Sequence, residues 1–126
     1  MFLITAYTNT SSYWADEVQF SVNSAGTPSY MYAATRSRTT SIPGYISAFA
    51  IDTETGAIVE QLFLTETTGS GGSANSVTSA PFGEEYFAIT DSGSNFVEVW
   101  MVTNATGKAV AHLDLSAGPS DVVWFD

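Results

Sequence analysis

At 126 residues the chain is one small domain at most, or a piece of a larger one. Hydrophobic residues make up 44% and aromatics 13%, which excludes a disordered tail. Thirteen acidic residues against three basic ones give a formal charge of −10, a field that repels phosphate and makes nucleic acid and anionic membranes poor partners.

The first stretch, Met1–Ala6, is apolar but short and lacks a basic flank, so it reads as an outer β-strand and not as a secretory signal. Beyond it, runs rich in β-branched and aromatic residues alternate with turn clusters. Strands are predicted at Val18–Ser21, Met31–Thr35, Tyr45–Asp52, Ile58–Thr65, Ser76–Ala80, Tyr86–Thr90, Phe96–Thr103, Ala109–Ser116 and Asp121–Phe125. The punctuation between them includes Asn23-Ser24-Ala25-Gly26-Thr27-Pro28, Thr53-Glu54-Thr55-Gly56 and Asn104-Ala105-Thr106-Gly107. No window sustains the apolar spacing of a helix. No apolar run approaches the roughly 20 residues that span a bilayer, and a soluble, cytoplasmic protein is expected.

The strands repeat. Tyr45–Gly56 lies over Phe96–Gly107 at a constant offset of 51, aromatic on aromatic and Thr-Gly on Thr-Gly. Upstream, Tyr32-Ala33-Ala34-Thr35 matches Phe87-Ala88-Ile89-Thr90 at 55, and Ala15-Asp16-Glu17-Val18 matches Ala74-Asn75-Ser76-Val77 at 59. The phrase returns as Ser120-Asp121-Val122-Val123. Each unit holds four strands, the content of a β-propeller blade. The predicted fold is therefore all-β: a partial β-propeller with one blade over 17–65, a second over 76–116 and the inner strand of a third at 121–125. Alternate faces of Tyr45–Ile51 are both apolar or small, as befits a strand clamped between neighbouring blades. Two blades do not close a ring of four to eight, so the chain is expected to be a C-terminal fragment of a longer propeller or to assemble with other chains. By itself it is expected to be inactive and poorly soluble, its blade faces uncovered.

Several tracts carry a family likeness. Tyr30–Arg36, Gly44–Phe49, Gln61–Leu64, Ser70–Val77, Tyr86–Asp91 and the ending Val123-Trp124-Phe125-Asp126 resemble the C-terminal third of the fungal carboxy-cis,cis-muconate cyclases. The resemblance implies a seven-bladed propeller of the lactonase type. It also implies cycloisomerisation between 3-carboxy-cis,cis-muconate and 3-carboxymuconolactone in the β-ketoadipate pathway of aromatic degradation. The partner it implies is a small tricarboxylate, with no cofactor, and a homo-oligomer of the full-length protein stays open. Two alternatives stand beside it: a non-catalytic scaffold or inactive paralogue, and a lactonase of the 6-phosphogluconolactonase type. The family tract has Arg where Trp14 stands and His where Ser73 stands, and both departures remove a cation or proton carrier.

Among single residues, Arg36 is the candidate catalytic group. It ends an apolar strand, it is one of three cations, and a guanidinium suits a carboxylate or a developing enolate. The competing reading pairs it with Asp16 or Glu17 on the surface. Arg38 reads as solvent-facing. Asn75, opening an inner strand after a Gly-Gly turn, is the candidate substrate-binding residue, although Asn in such turns is ordinarily structural. Asp16 and Asp121 share its slot, which suggests a blade-closing role for all three. His112 falls on an outer strand and reads as a surface residue, and Glu84-Glu85 reads as a solvated turn. The absence of Cys, with a single His, leaves no ligand set for a transition metal. Gly69-Ser70-Gly71-Gly72 lacks the following Lys-Ser/Thr of a phosphate-binding loop.

Overall fold

The computed structural model describes residues 10–68 and 76–125. The strand expected at Met1–Ala6 lies outside them. A 3₁₀ turn at Thr10–Ser12 is the helical content among the described residues. Eight strands follow: β1 (Tyr13–Phe20), β2 (Tyr30–Ser37), β3 (Tyr45–Ile51), β4 (Ile58–Glu66), β5 (Val77–Ser79), β6 (Tyr86–Asp91), β7 (Phe96–Thr103) and β8 (Thr106–Asp114). They form two antiparallel four-stranded sheets with the simple orders β1-β2-β3-β4 and β5-β6-β7-β8. The chain is a partial β-propeller, and each sheet is one blade.

The core lies between the blades. Tyr32, Ala34, Ile46, Ala48 and Phe63 of the first sheet pack with Val77, Phe87, Ile89, Phe96, Trp100 and Val102 of the second. Tyr32 stacks on Phe87 with ring centres 4.3 Å apart, and Phe87 on Trp100 at 6.4 Å. β7 shows how the sequence selects this arrangement. Phe96, Glu98, Trp100 and Val102 alternate inward and are buried, while Val97, Val99 and Met101 form the half-buried opposite face. β3 is largely buried on both faces, as expected of a strand with blade neighbours, whereas most of β8 is exposed.

Polar contacts add to this packing. Glu84, expected as a solvated turn residue, instead reaches across the blades. It accepts hydrogen bonds from Ser21 Oγ at 2.6 Å, from the Ser29 N–H at 2.9 Å and from Ser29 Oγ at 3.0 Å. The Tyr32 hydroxyl donates to its backbone carbonyl.

Three local features depart from the sequence expectation. β1 starts at Tyr13, five residues before the predicted strand, because a bulge between Ala15 and Glu17 lets the polar tract Trp14-Ala15-Asp16-Glu17 stay in the ladder while Asp16 stands out of register. β8 starts at Thr106, since the hairpin turn needs only Asn104 and Ala105, with Asn104 at φ 53°. The aligned Thr-Gly pairs therefore serve different ends. Gly56 sits in a turn at φ +73°, whereas a Cβ on Gly107 would come 2.4 Å from the Phe63 ring of the other blade. Lastly, 121–125 forms no ladder among the described residues. It lies along β5, where Thr78 Oγ1 donates to the Val122 carbonyl at 2.8 Å and Trp124 Nε1 to the Thr78 carbonyl at 3.2 Å.

Candidate functional site

Arg36 stands near the end of β2, and its partner across the β1–β2 ladder is Trp14. Residues opposite each other on antiparallel strands project to the same face, so the guanidinium meets the indole. The Arg36 Cζ lies 5.0 Å from the ring centre. The bulge at Asp16 brings its carboxylate to the same place, with Oδ1 3.6 Å from Arg36 Nε. That spacing is an ion pair without a hydrogen bond, and the buried Nε makes none. Arg36 keeps 29% of its side chain exposed and Asp16 17%. The sequence reading offered Asp16 as a purely structural partner; the structure pairs them, yet loosely and beside an aromatic plate.

Arg38, one residue beyond β2, donates its backbone N–H to the Ser12 carbonyl at 2.9 Å, so the strand pairing runs on past the last ladder residues. Its Cζ lies 4.8 Å from the same Trp14 ring. Two of the three basic residues of the chain thus meet on one side chain.

Asn75, together with Ser73 and Gly69–Gly72, lies outside the described residues. The slot it shares with Asp16 and Asp121 is used in two ways. Asp121 accepts from Ser76 Oγ at 2.7 Å and from the Val122 N–H at 2.8 Å, and these bonds hold its carboxyl below the usual range. Glu17 takes the same Ser76 hydroxyl at 2.7 Å and the Val77 N–H at 2.9 Å. A hydroxyl has one proton, so Ser76 serves one carboxylate at a time. These contacts tie β1, β5 and the 121–125 segment together, while Asp16 faces Arg36.

His112 lies in the other sheet, on its outer strand. Its Nδ1 is 2.8 Å from Glu98 Oε1 and its Nε2 3.0 Å from Asp114 Oδ1; hydrogen bonding, first to Asp114 and then to Glu98, raises its pKa. Glu98 went unnoticed in the sequence. It is 2% exposed, and it also accepts from Thr68 Oγ1 at 2.8 Å and Trp100 Nε1 at 2.9 Å. Asp91 was missed as well. It is fully buried and caps the β6–β7 turn through hydrogen bonds from the Gly93 and Ser94 N–H groups, both at 2.9 Å. Its Oδ2 has no partner, and burial, followed by the nearby Glu98, pushes its carboxyl up. The sequence offset of 55 sets Asp91 level with Arg36, but the ladders place Asp91, opposite Phe96, level with Thr35, opposite Tyr45.

The described residues contain no group of three or more His, Asp or Glu side chains placed to hold a metal ion. What the Arg36 region can do is bind an anion: a guanidinium edge beside an aromatic face, one neighbouring carboxylate, and a second guanidinium alongside.

Two known proteins resemble this chain. The chain is 38% identical over 99 residues, 77% of its length, to the carboxy-cis,cis-muconate cyclase of Neurospora crassa. This chain resembles the C-terminal region of that cyclase. It is also 29% identical over 123 residues to the protein named muconate cycloisomerase 1 of Cutaneotrichosporon cutaneum. The matches cover 27% and 32% of those two proteins, so the chain spans less than a third of the relatives it resembles. No protein-family model matches the chain.

Proposed function

We infer that the protein carrying this chain is a cycloisomerase of aromatic-acid catabolism that interconverts 3-carboxy-cis,cis-muconate and 3-carboxymuconolactone. The observation that carries this reading is the 38% identity to a cyclase named for that acid. The second relative, also named for a muconate reaction, supports the same class.

In such a step a carboxylate oxygen of the substrate adds to a carbon of its own conjugated system, and a proton is delivered to the neighbouring carbon. No atom is lost and no redox partner is needed. Arg36 is assigned to a substrate carboxylate and to the negative charge that builds as the oxygen adds. Its loose contact with Asp16 suits this role, because a guanidinium already locked in two short bonds would have to break them first. Asn75 is assigned a hydrogen bond to substrate. The proton is assigned to a part of the protein corresponding to the remainder of the relatives' length, since His112 is engaged by Glu98 and Asp114.

Loss of conjugation can be followed by ultraviolet absorbance. Arg36→Ala is expected to lower turnover at least about tenfold while circular dichroism stays unchanged. Unchanged turnover would return Arg36 to the role of a surface partner for Asp16.

A further inference from the structure

The meeting of Arg36 and Arg38 on Trp14 calls for an explanation that the chain's own charges do not supply. Each guanidinium carbon lies within 5.0 Å of the indole centre, so the two cations are within about 10 Å of each other, inside the range where like charges repel. With a net charge of −10 the chain offers many carboxylates to separate them. The ion pair with Asp16 nevertheless belongs to Arg36, and Arg38 has no ion pair among the described residues. The side chain of Arg38 is exposed and could extend into water, yet it rests on the ring.

Backbone geometry puts both arginines there. Trp14 is opposite Arg36, and the Arg38 N–H bond to Ser12 continues the pairing by two residues, which returns the side chain to the same face. A guanidinium held over an aromatic face, which accepts no N–H in the plane of the cation, keeps N–H groups for an acceptor, and they match a carboxylate in a bidentate fork. Two such cations beside one plate match two carboxylates.

We propose that Trp14, Arg36 and Arg38 form a two-armed receptor for a ligand carrying at least two carboxylates, with Arg38 as the second arm and Trp14 as the residue that positions both. The proposal rests on the reading of Arg36 given above and adds to it the two residues that would favour di- and tricarboxylates over monocarboxylates.

The test uses the protein that carries this chain at its natural length, with tricarballylate and propionate as probes in isothermal titration. Arg38→Gln should weaken tricarballylate at least about tenfold and shift propionate by less than about threefold. It should also raise KM for the muconate substrate while kcat stays within about twofold. Trp14→Ala should do the same, and Trp14→Phe should restore binding, because a phenyl face still stacks a guanidinium. Arg38 is exposed, so its variant carries the test even if Trp14→Ala fails to fold.

Unchanged tricarballylate affinity in Arg38→Gln overturns the receptor; if Arg36→Ala still abolishes turnover, the proposed reaction stands without it. Equal weakening of propionate and tricarballylate overturns it too, since a general loss of positive field would do that. If the parent protein does not turn over the muconate but loses tricarballylate in Arg38→Gln, the reaction fails and the receptor stands.

Discussion

In the first sheet the position near the end of the second strand holds Arg36, partly exposed, loosely paired and set over an indole. In the second sheet the corresponding strand ends on Asp91, which pairs with Phe96 as Thr35 pairs with Tyr45, and it is fully buried and folded into its own turn. The ladders between the second and third strands match as far as Thr35 and Asp91, and what differs is the chain that follows. Seven residues, 38–44, join β2 to β3, whereas four, 92–95, join β6 to β7. A short connection needs a side-chain cap for its N–H groups, and Asp91 supplies it. A longer one leaves its slot available to face outward. A repeated blade can thus free a strand-end side chain by lengthening the loop after it, with no change of sheet.

The largest expected effect comes from separating the blades. Phe87 is fully buried between Tyr32 and Trp100. Phe87→Ala should cost about 3–5 kcal/mol, the range for removing a core aromatic. Denaturant unfolding of the protein carrying the chain would read it. A loss below about 1 kcal/mol would mean that the blades do not depend on this interface.

Much of this architecture is legible in the sequence. β3 and β7 start where the 51-residue repeat begins, because alternating apolar residues and an aromatic leader specify them. The first half of β1 was not legible, since Ala15-Asp16-Glu17 has poor strand propensity and only the bulge keeps it paired. For the site, Arg36 could be found as a rare cation at a strand end. Arg38 could not, because its place on Trp14 depends on pairing that extends beyond the strand. Glu98 carried no signal in the sequence. Its burial follows from partners 30, 2 and 14 residues away, which no local pattern reveals.

A sharper use of the comparison sets Asp91→Ala against Arg36→Ala. Removing Asp91 leaves two turn N–H groups without their acceptor, at a cost of about 1–3 kcal/mol. Removing Arg36 should cost no more than about 1 kcal/mol, since its partner contact is partly exposed and long. Equal losses would deny that the two strand ends have diverged. Asp91→Asn keeps one acceptor and removes the buried charge. The Asp91 carboxyl titrates higher in the folded chain than in the unfolded one, so its contribution is greatest below its ordinary value near 3.8 and is lost as pH rises through the folded value. The asparagine variant should therefore gain on the parent as pH increases from 4 to 7. A stability difference that does not move over that window would sink the assignment.

The smallest effect belongs to His112, at the outer edge of the second sheet. Hydrogen bonds to Asp114 and Glu98 favour its protonated form and raise its pKa above the ordinary value near 6.5. A raised folded value means that its contribution to stability is fully present below 6.5 and fades as pH climbs through the folded pKa. Nitrogen-resolved NMR titration of the ring reads this directly. Asp114 is the larger cause, so Asp114→Asn should move the midpoint down, while the bond to the buried Glu98 keeps the ring in place. A midpoint at or below 6.5 in the parent would remove the pair that closes Glu98 from water. The first sheet offers the control, because Ser47 and Leu64, paired across β3 and β4, stand in the places of the paired Glu98 and His112. No charge pair forms there, and no corresponding change with pH should appear in the signals of β3 and β4.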